Sequence, residues 1–148
     1  MAHSEFMAMA LHEAQLAFEK GEVPVGAVIV KDGQVIARAH NLTESANTPL
    51  AHAELIAIHK ATQALGDWRL SGCTLYVTLE PCPMCTGAIL NSRLEEVVFG
   101  AFDEEMGCCG SRLDMSSALP RKTRMVGGVM EEECKGILSR FFEQRRKK

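Results

Sequence analysis

No stretch of this 148-residue sequence is apolar for long enough to cross a bilayer. The longest run, Val23 to Val30, is interrupted by Pro24 and falls far short of the roughly 20 residues a spanning helix needs. The first residues, Met1-Ala2-His3-Ser4-Glu5, hold neither the basic region nor the apolar run of a secretory signal, so a cytoplasmic protein with no membrane partner is expected. In that compartment the six cysteines are expected to be thiols or metal ligands, not disulfides. Internal repeats, low-complexity tracts and Pro/Gly/Ser-rich linkers are also missing. With 47% apolar residues a chain of this length builds one core without crosslinks, since second cores arise beyond about 250 residues, and one domain spanning residues 1–148 is expected. A basic excess is lacking too: the net charge of −3, taken whole, speaks against a nucleic-acid partner. That total averages two unlike parts. Residues 1–120 carry seven Lys/Arg against fifteen Asp/Glu, or −8, while residues 121–148 carry nine against four, or +5, ending in Arg145-Arg146-Lys147-Lys148. The acidic total thus does not exclude a phosphate-bearing partner met at that end, with contact that weakens with salt, while the same cations also suit the C-terminus of a helix.

What is present alternates between helical and strand patterns. Ser4 is placed to cap a helix whose apolar positions Phe6, Met9, Ala10, Ala14, Ala17 and Phe18 follow helical spacing, with Gly21 ending it. Val25–Lys31 and Gln34–Ala39 read as strands joined by the two-residue turn Asp32-Gly33. A polar loop leads to a helix over His52–Leu65, then a strand at Thr74–Leu79 and a helix over Pro81–Asn91 with Pro81 in its first turn. A strand at Val97–Gly100, a crossover holding a short helix, a parallel strand at Val126–Met130 and a last helix from Glu131 into Lys147 complete the pattern. Helices alternating with strands after a hairpin predict an α/β protein, a three-layer α/β/α sandwich around a mixed five-stranded sheet.

Chemistry concentrates in His52-Ala53-Glu54 and Pro81-Cys82-Pro83-Met84-Cys85, with the loop around Asn41 nearby. Both segments fall at predicted helix starts, where side chains project together from the carboxyl edge of a sheet. Cys82 and Cys85, three apart in a first helical turn, put both sulfurs on one face, and the helix amino-terminus favours the thiolate that binds metal. With His52 they make two thiolates and one imidazole around a zinc ion, leaving a fourth position for water, whose pKa zinc lowers to ~7. Glu54 lies roughly 200° around the helix from His52, so it straddles the helix start as a proton carrier and not a ligand. The bland alternative is a closed structural site of Cys82, Cys85, Cys108 and Cys109 in a noncatalytic, zinc-stabilised RNA-binding module. Cys73 and Cys134 are expected in the core and Trp68 in packing; Glu80 either steadies a neighbouring ligand or satisfies N–H groups at a helix start.

His-x-Glu followed by Pro-Cys-x-x-Cys is the signature of the zinc-dependent nucleobase deaminases. More closely, residues 49–54, 67–70, 75–85 and 100–103 resemble the bacterial tRNA-specific adenosine deaminases, and the likeness runs from about Met7 to Lys148. The resemblance implies the cytidine deaminase-like fold, a homodimer, one zinc per chain, and hydrolytic conversion of adenosine to inosine at the wobble position of a tRNA anticodon. It assigns His52, Cys82 and Cys85 as zinc ligands, Glu54 as the catalytic proton shuttle, Asn41 to the base pocket and Asp103 to the target nucleotide's sugar. The last helix, with Phe141-Phe142 and its basic end, matches the part that meets the RNA stem of the anticodon stem-loop. One stretch departs from the family: where a longer segment with an Asn-His pair is usual, this chain reads Ala118-Leu119-Pro120-Arg121-Lys122. That change keeps open a same-chemistry alternative, deamination of a free base or nucleotide such as guanine, cytosine or dCMP.

Overall fold

The computed structural model describes residues 2–146. Its frame is a mixed sheet in the order β2-β1-β3-β4-β5, formed by β1 (Gly26–Lys31), β2 (Gln34–His40), β3 (Cys73–Leu79), β4 (Glu96–Ala101) and β5 (Arg124–Val126). β1 runs antiparallel to both β2 and β3, and β3, β4 and β5 run parallel. The β1–β2 hairpin closes as its sequence demands, because Asp32 and Gly33 both take positive φ, 51° and 77°, the turn whose twist matches paired strands.

Alternation along the strands divides the core between two faces. Val28, Val30, Tyr76 and Val98 pack beneath α1 (His3–Glu19) and α6 (Glu131–Arg146), whose Phe6, Met7, Ala10 and Cys134 they meet. Ala27, Ile29, Leu75, Val77, Val97 and Phe99 face α3 (Ala53–Leu65) and α4 (Pro83–Asn91) through Ala53, Ala57, Ala61 and Ile89. This is the expected three-layer sandwich. Small residues at helical spacing let the layers approach closely: a side chain at Gly26 would run into the Ala10 carbonyl and the Ala14 amide of α1.

Several boundaries differ from the sequence pattern, each for a physical reason. Ala2, not Ser4, precedes α1, and Glu5 Oε1 accepts the Ala2 N–H at 3.3 Å, so Ser4 lies inside the helix. The fourth helix begins at Pro83 and not Pro81, because Cys82 must be extended ahead of a proline (φ −77°, ψ 176°). β5 ends at Val126 instead of starting there. Gly127 has no room for a side chain against the Phe99 and Phe102 rings, and Met130 takes a φ of 55°, so the chain turns there into α6. A short helix, α2 (Thr43–Ala46), stands in the stretch expected to be plain loop, and α5 (Met115–Ala118) is the short helix of the β4–β5 crossover. Trp68 is not packed inside: it is 52% exposed, with the Arg69 and Arg93 guanidinium groups 4.7 and 5.4 Å from its ring centre. Lys147, expected as the last helical residue, lies outside the described residues.

Candidate active site

The amino-termini of α3 and α4 meet at the carboxyl end of β3, and each delivers its residue from the position just before the first helical turn. His52 (φ −79°, ψ 148°) precedes α3 and Cys82 (φ −77°, ψ 176°) precedes α4, both in extended backbone. Cys85, three residues on, comes from the first turn of α4. His52 Nδ1 stands 3.7 Å from Cys82 Sγ and 3.5 Å from Cys85 Sγ. Zn–S bonds of about 2.3 Å and Zn–N bonds of about 2.0–2.1 Å at tetrahedral angles require N and S to stand about 3.6 Å apart. Both N···S distances therefore match a single tetrahedral ion, and the three ligand atoms, all within 4.8 Å of one another, are the group among the described residues that could hold a metal.

The thiols are prepared for that task. Cys82 is pulled down to about 4, first by the hydrogen bond from the Cys85 thiol and then by His52, while Cys85 is pushed up by holding the shared proton and by burial. His52 is raised by its bond to Cys82, which outweighs its partial burial. Two helix amino-termini directed at one spot add positive potential where thiolates gather.

Glu54, in the first turn of α3, is not one of the three ligand atoms. It is 4% exposed, and burial lifts its carboxyl to about 7 against the opposing pull of His52. A carboxyl poised near neutrality both takes and gives a proton. The group opens into a cavity of about 490 Å³, lined among others by Asn41, His52, Glu54, Cys82, Asp103 and, from α6, Phe141, Phe142 and Arg145. That size lies within the range of small-molecule sites, about 300–1,000 Å³. Every candidate site residue of the sequence is thus brought to one place.

Their local roles can be read from their bonds. The buried Asn41 accepts the Ala53 N–H at 2.7 Å through Oδ1, so it fixes the start of α3 beside His52. Asp103 Oδ1 accepts the N–H groups of Glu105 and Met106, both at 3.1 Å, which shapes its own turn. Arg145 stacks over Phe141, 4.7 Å from the ring centre, and donates to the Gly21 carbonyl at 2.6 Å, which ties α6 to the cavity rim.

Cys108 and Cys109 do not join Cys82 and Cys85, which removes the four-cysteine alternative. Cys108 Sγ turns to the Met106 carbonyl at 3.5 Å, and Cys109 Sγ lies 3.7 Å from Thr86 Oγ1. Cys73 and Cys134 are fully buried, as expected. Glu80 neither steadies a ligand nor caps a helix: its carboxylate grips the loop that carries Asp103. Glu22, which the sequence did not single out, is also buried on the cavity wall, and its only sequence signal is an acid between a helix end and the apolar run of β1.

The profile of the MafB19-like deaminase family matches residues 1–146. The tRNA-specific adenosine deaminase of Bacillus subtilis (strain 168) is 54% identical over 145 residues, 97% of this chain and 90% of that protein. The tRNA-specific adenosine deaminase of Aquifex aeolicus (strain VF5) is 45% identical over 147 residues, 99% and 97% of the two chains. A solved structure from work on A-to-I editing by tRNA:A34 deaminases at the wobble position of transfer RNA superposes with a TM-score of 0.85 at 43% identity, covering 90% of this chain and 99% of that one. By the extent and degree of these likenesses the chain belongs to the deaminase family, among the tRNA-specific adenosine deaminases.

Proposed function

We propose that the chain, acting as one domain, catalyses hydrolytic deamination of adenosine to inosine at the wobble position of a tRNA anticodon. The observation that carries this is the His52–Cys82–Cys85 cluster with Glu54 beside it, opening into a cavity that also holds Asn41, Asp103 and the aromatic pair of α6. His52, Cys82 and Cys85 would hold one zinc ion, whose bound form supplies Lewis-acid activation of water at neutral pH. Glu54 takes the proton released as water adds to the amino-bearing carbon of adenine and delivers it to the nitrogen that leaves as ammonia when the C–N bond breaks. Asn41, its oxygen already committed to α3, donates through its amide nitrogen to the base edge, and Asp103 takes a sugar hydroxyl.

The base must leave its stack to reach Glu54, which favours an unpaired anticodon loop over a duplex. Phe142, 46% exposed at the cavity, offers a flat apolar face to the loop, and the basic end of α6 meets the stem. No helix among the described residues is long and apolar enough to span a membrane. A cytoplasmic homodimer is part of the same proposal, supported by the exposed apolar Leu113 and Leu119 on either side of α5; light scattering of the purified protein tests the dimer. The decisive assay incubates the zinc-loaded protein with an anticodon stem-loop, whole tRNA and a panel of free bases, nucleosides and nucleotides. Inosine forming in the RNAs is the expected result. Turnover confined to the small molecules would replace the tRNA reading by the free-base one.

A further inference from the structure

Two buried carboxylates that the chemistry above does not use stand on the wall of the cavity. Glu22 is 1% exposed and Glu80 is 2% exposed. Glu80 spends its oxygens on donors in a loop distant in sequence, and Glu22 on donors in the short helix α2. Glu80 Oε1 accepts the Asp103 N–H at 3.0 Å and the Ser111 hydroxyl, and its Oε2 accepts the N–H groups of Cys109 at 3.1 Å and Ser111 at 3.0 Å. Glu22 accepts the N–H groups of Glu44 at 3.0 Å and Ser45 at 2.6 Å together with the Ser45 hydroxyl. Burial alone would raise the Glu22 carboxyl, but these bonds, with His40 nearby, outweigh it and hold the group below the usual glutamate range.

The two glutamates are placed alike. Each stands next to a core element: Glu22 lies just past α1, its N–H bonded to the Ala17 carbonyl at 2.9 Å, and Glu80 directly follows β3. Each reaches the loop that carries one residue assigned to the substrate, Glu22 the stretch just after Asn41 and Glu80 the stretch from Asp103 to Ser111. Cys109 anchors the second stretch in the core, and the carboxylates add charged acceptors to both stretches, whose hydrogen bonds are roughly twice as strong as neutral ones. The loop packs so closely on Glu80 that a side chain at Gly107 would run into its carboxylate and the Asp103 carbonyl.

We infer that Glu22 and Glu80 are positioning residues of the deamination site, each holding one wall of the cavity in the shape that admits the target nucleotide. The inference rests on assigning the cavity to an adenosine of the anticodon loop. Its test uses the full, zinc-loaded chain carrying Glu22→Gln or Glu80→Gln, with kcat and KM measured separately on an anticodon stem-loop well below the melting temperature. Each variant is expected to keep its zinc and its kcat within about threefold, while KM rises about tenfold, as it does when a binding-competent wall stands in place about a tenth of the time. Glu80→Ala should raise KM further, since glutamine retains one acceptor oxygen. A merely structural role would instead lower the melting temperature and the active fraction while leaving KM unchanged, and that result would overturn the inference, as would a fall in kcat at constant KM.

Should a glutamine variant fail to fold, Ser111→Ala and Ser45→Ala each delete one donor and leave the carboxylate bonded to backbone. They are expected to raise KM about threefold by the same reasoning, and wild-type KM in both would be fatal. Amide exchange in the free protein separates this inference from the substrate assignment. Loss of the Glu80 clasp should speed exchange over residues 103–111 and not over 43–46, and loss of the Glu22 clasp the reverse. Uniform exchange changes refute the clasps; localised changes in an enzyme inactive on the stem-loop refute the substrate assignment alone.

Discussion

Glu54→Gln is the sharpest perturbation the site offers, because it preserves shape and removes only the ability to carry a proton. Glu54 is 4% exposed and its carboxyl sits at about 7, raised chiefly by burial, so the native group moves protons in either direction near neutral pH. General acid–base catalysis by a positioned side chain contributes about 10²–10⁴-fold, or about 3–5 kcal/mol of barrier. A loss of that size is expected in the single-turnover rate of inosine formation, measured with enzyme in excess over an anticodon stem-loop so that binding does not enter. Zinc content should stay at one per chain, since the ligand atoms are the His52 nitrogen and the two sulfurs at 3.7 and 3.5 Å from it. Stability should hold or rise, because an amide is buried more readily than a carboxylate. A single-turnover rate within tenfold of wild type at full zinc loading would refute the assignment of Glu54. Loss of zinc would refute it differently, by making Glu54 a ligand.

Other features of the site and the fold are open to equally direct tests. Chelation of the metal, or Cys85→Ser, should abolish turnover and lower the melting temperature, and zinc should restore the chelated sample; a Cys108→Ala/Cys109→Ala protein should keep its metal, and its loss would revive the four-cysteine site. Replacing Arg146, Lys147 and Lys148 by alanine should weaken tRNA binding and reduce the slope of log affinity against log salt by about 0.9 for each duplex phosphate no longer neutralised, with zinc unaffected. Unchanged binding at low salt would contradict that placement. Gly87→Ala, in α4 with no atom within 4 Å of the added carbon, should stabilise by about 0.5–1 kcal/mol in urea unfolding. Gly26→Ala, whose carbon would overlap α1 backbone and approach Glu13 Cβ at 2.8 Å, should destabilise by about 1–3 kcal/mol or more, and equal effects would contradict the packing described.

The features legible in the sequence are those encoded within a few residues. Asp32-Gly33 dictates its own hairpin, the two extended residues before α3 and α4 stand where a proline or a helix start requires them, and apolar alternation assigns strand faces. The metal cluster is legible because its spacing is local, with only its convergence on His52 left to the fold. Features fixed across the chain are not. Glu22 meets Ser45, and Glu80 meets Ser111, through contacts that no periodicity announces. The end of β5 depends on the Phe99 and Phe102 rings filling the space beside Gly127. Trp68 reads as a packed residue by type, yet two arginines, its neighbour Arg69 and the distant Arg93, hold its ring at the surface.

The charge imbalance also changes meaning once residues have places. The acidic body of −8 would repel a phosphate backbone if its carboxylates stood in solvent. Five of its fifteen acids, Glu13, Glu22, Glu54, Glu80 and Glu96, are buried instead. Glu13 meets His40 at 2.9 Å, Glu96 meets Arg124 at 2.7 Å, Glu22 and Glu80 hold loops, and Glu54 belongs to the site. Their oxygens are taken up by donors within the protein and do not stand free in solvent. The cations of α6, by contrast, are exposed, and Arg145 reaches the rim of the same cavity that holds the metal cluster. A weakly acidic total is therefore compatible with a polyanionic substrate: Glu22, Glu54 and Glu80 line the cavity from within, and the bases of α6 stand exposed toward its rim.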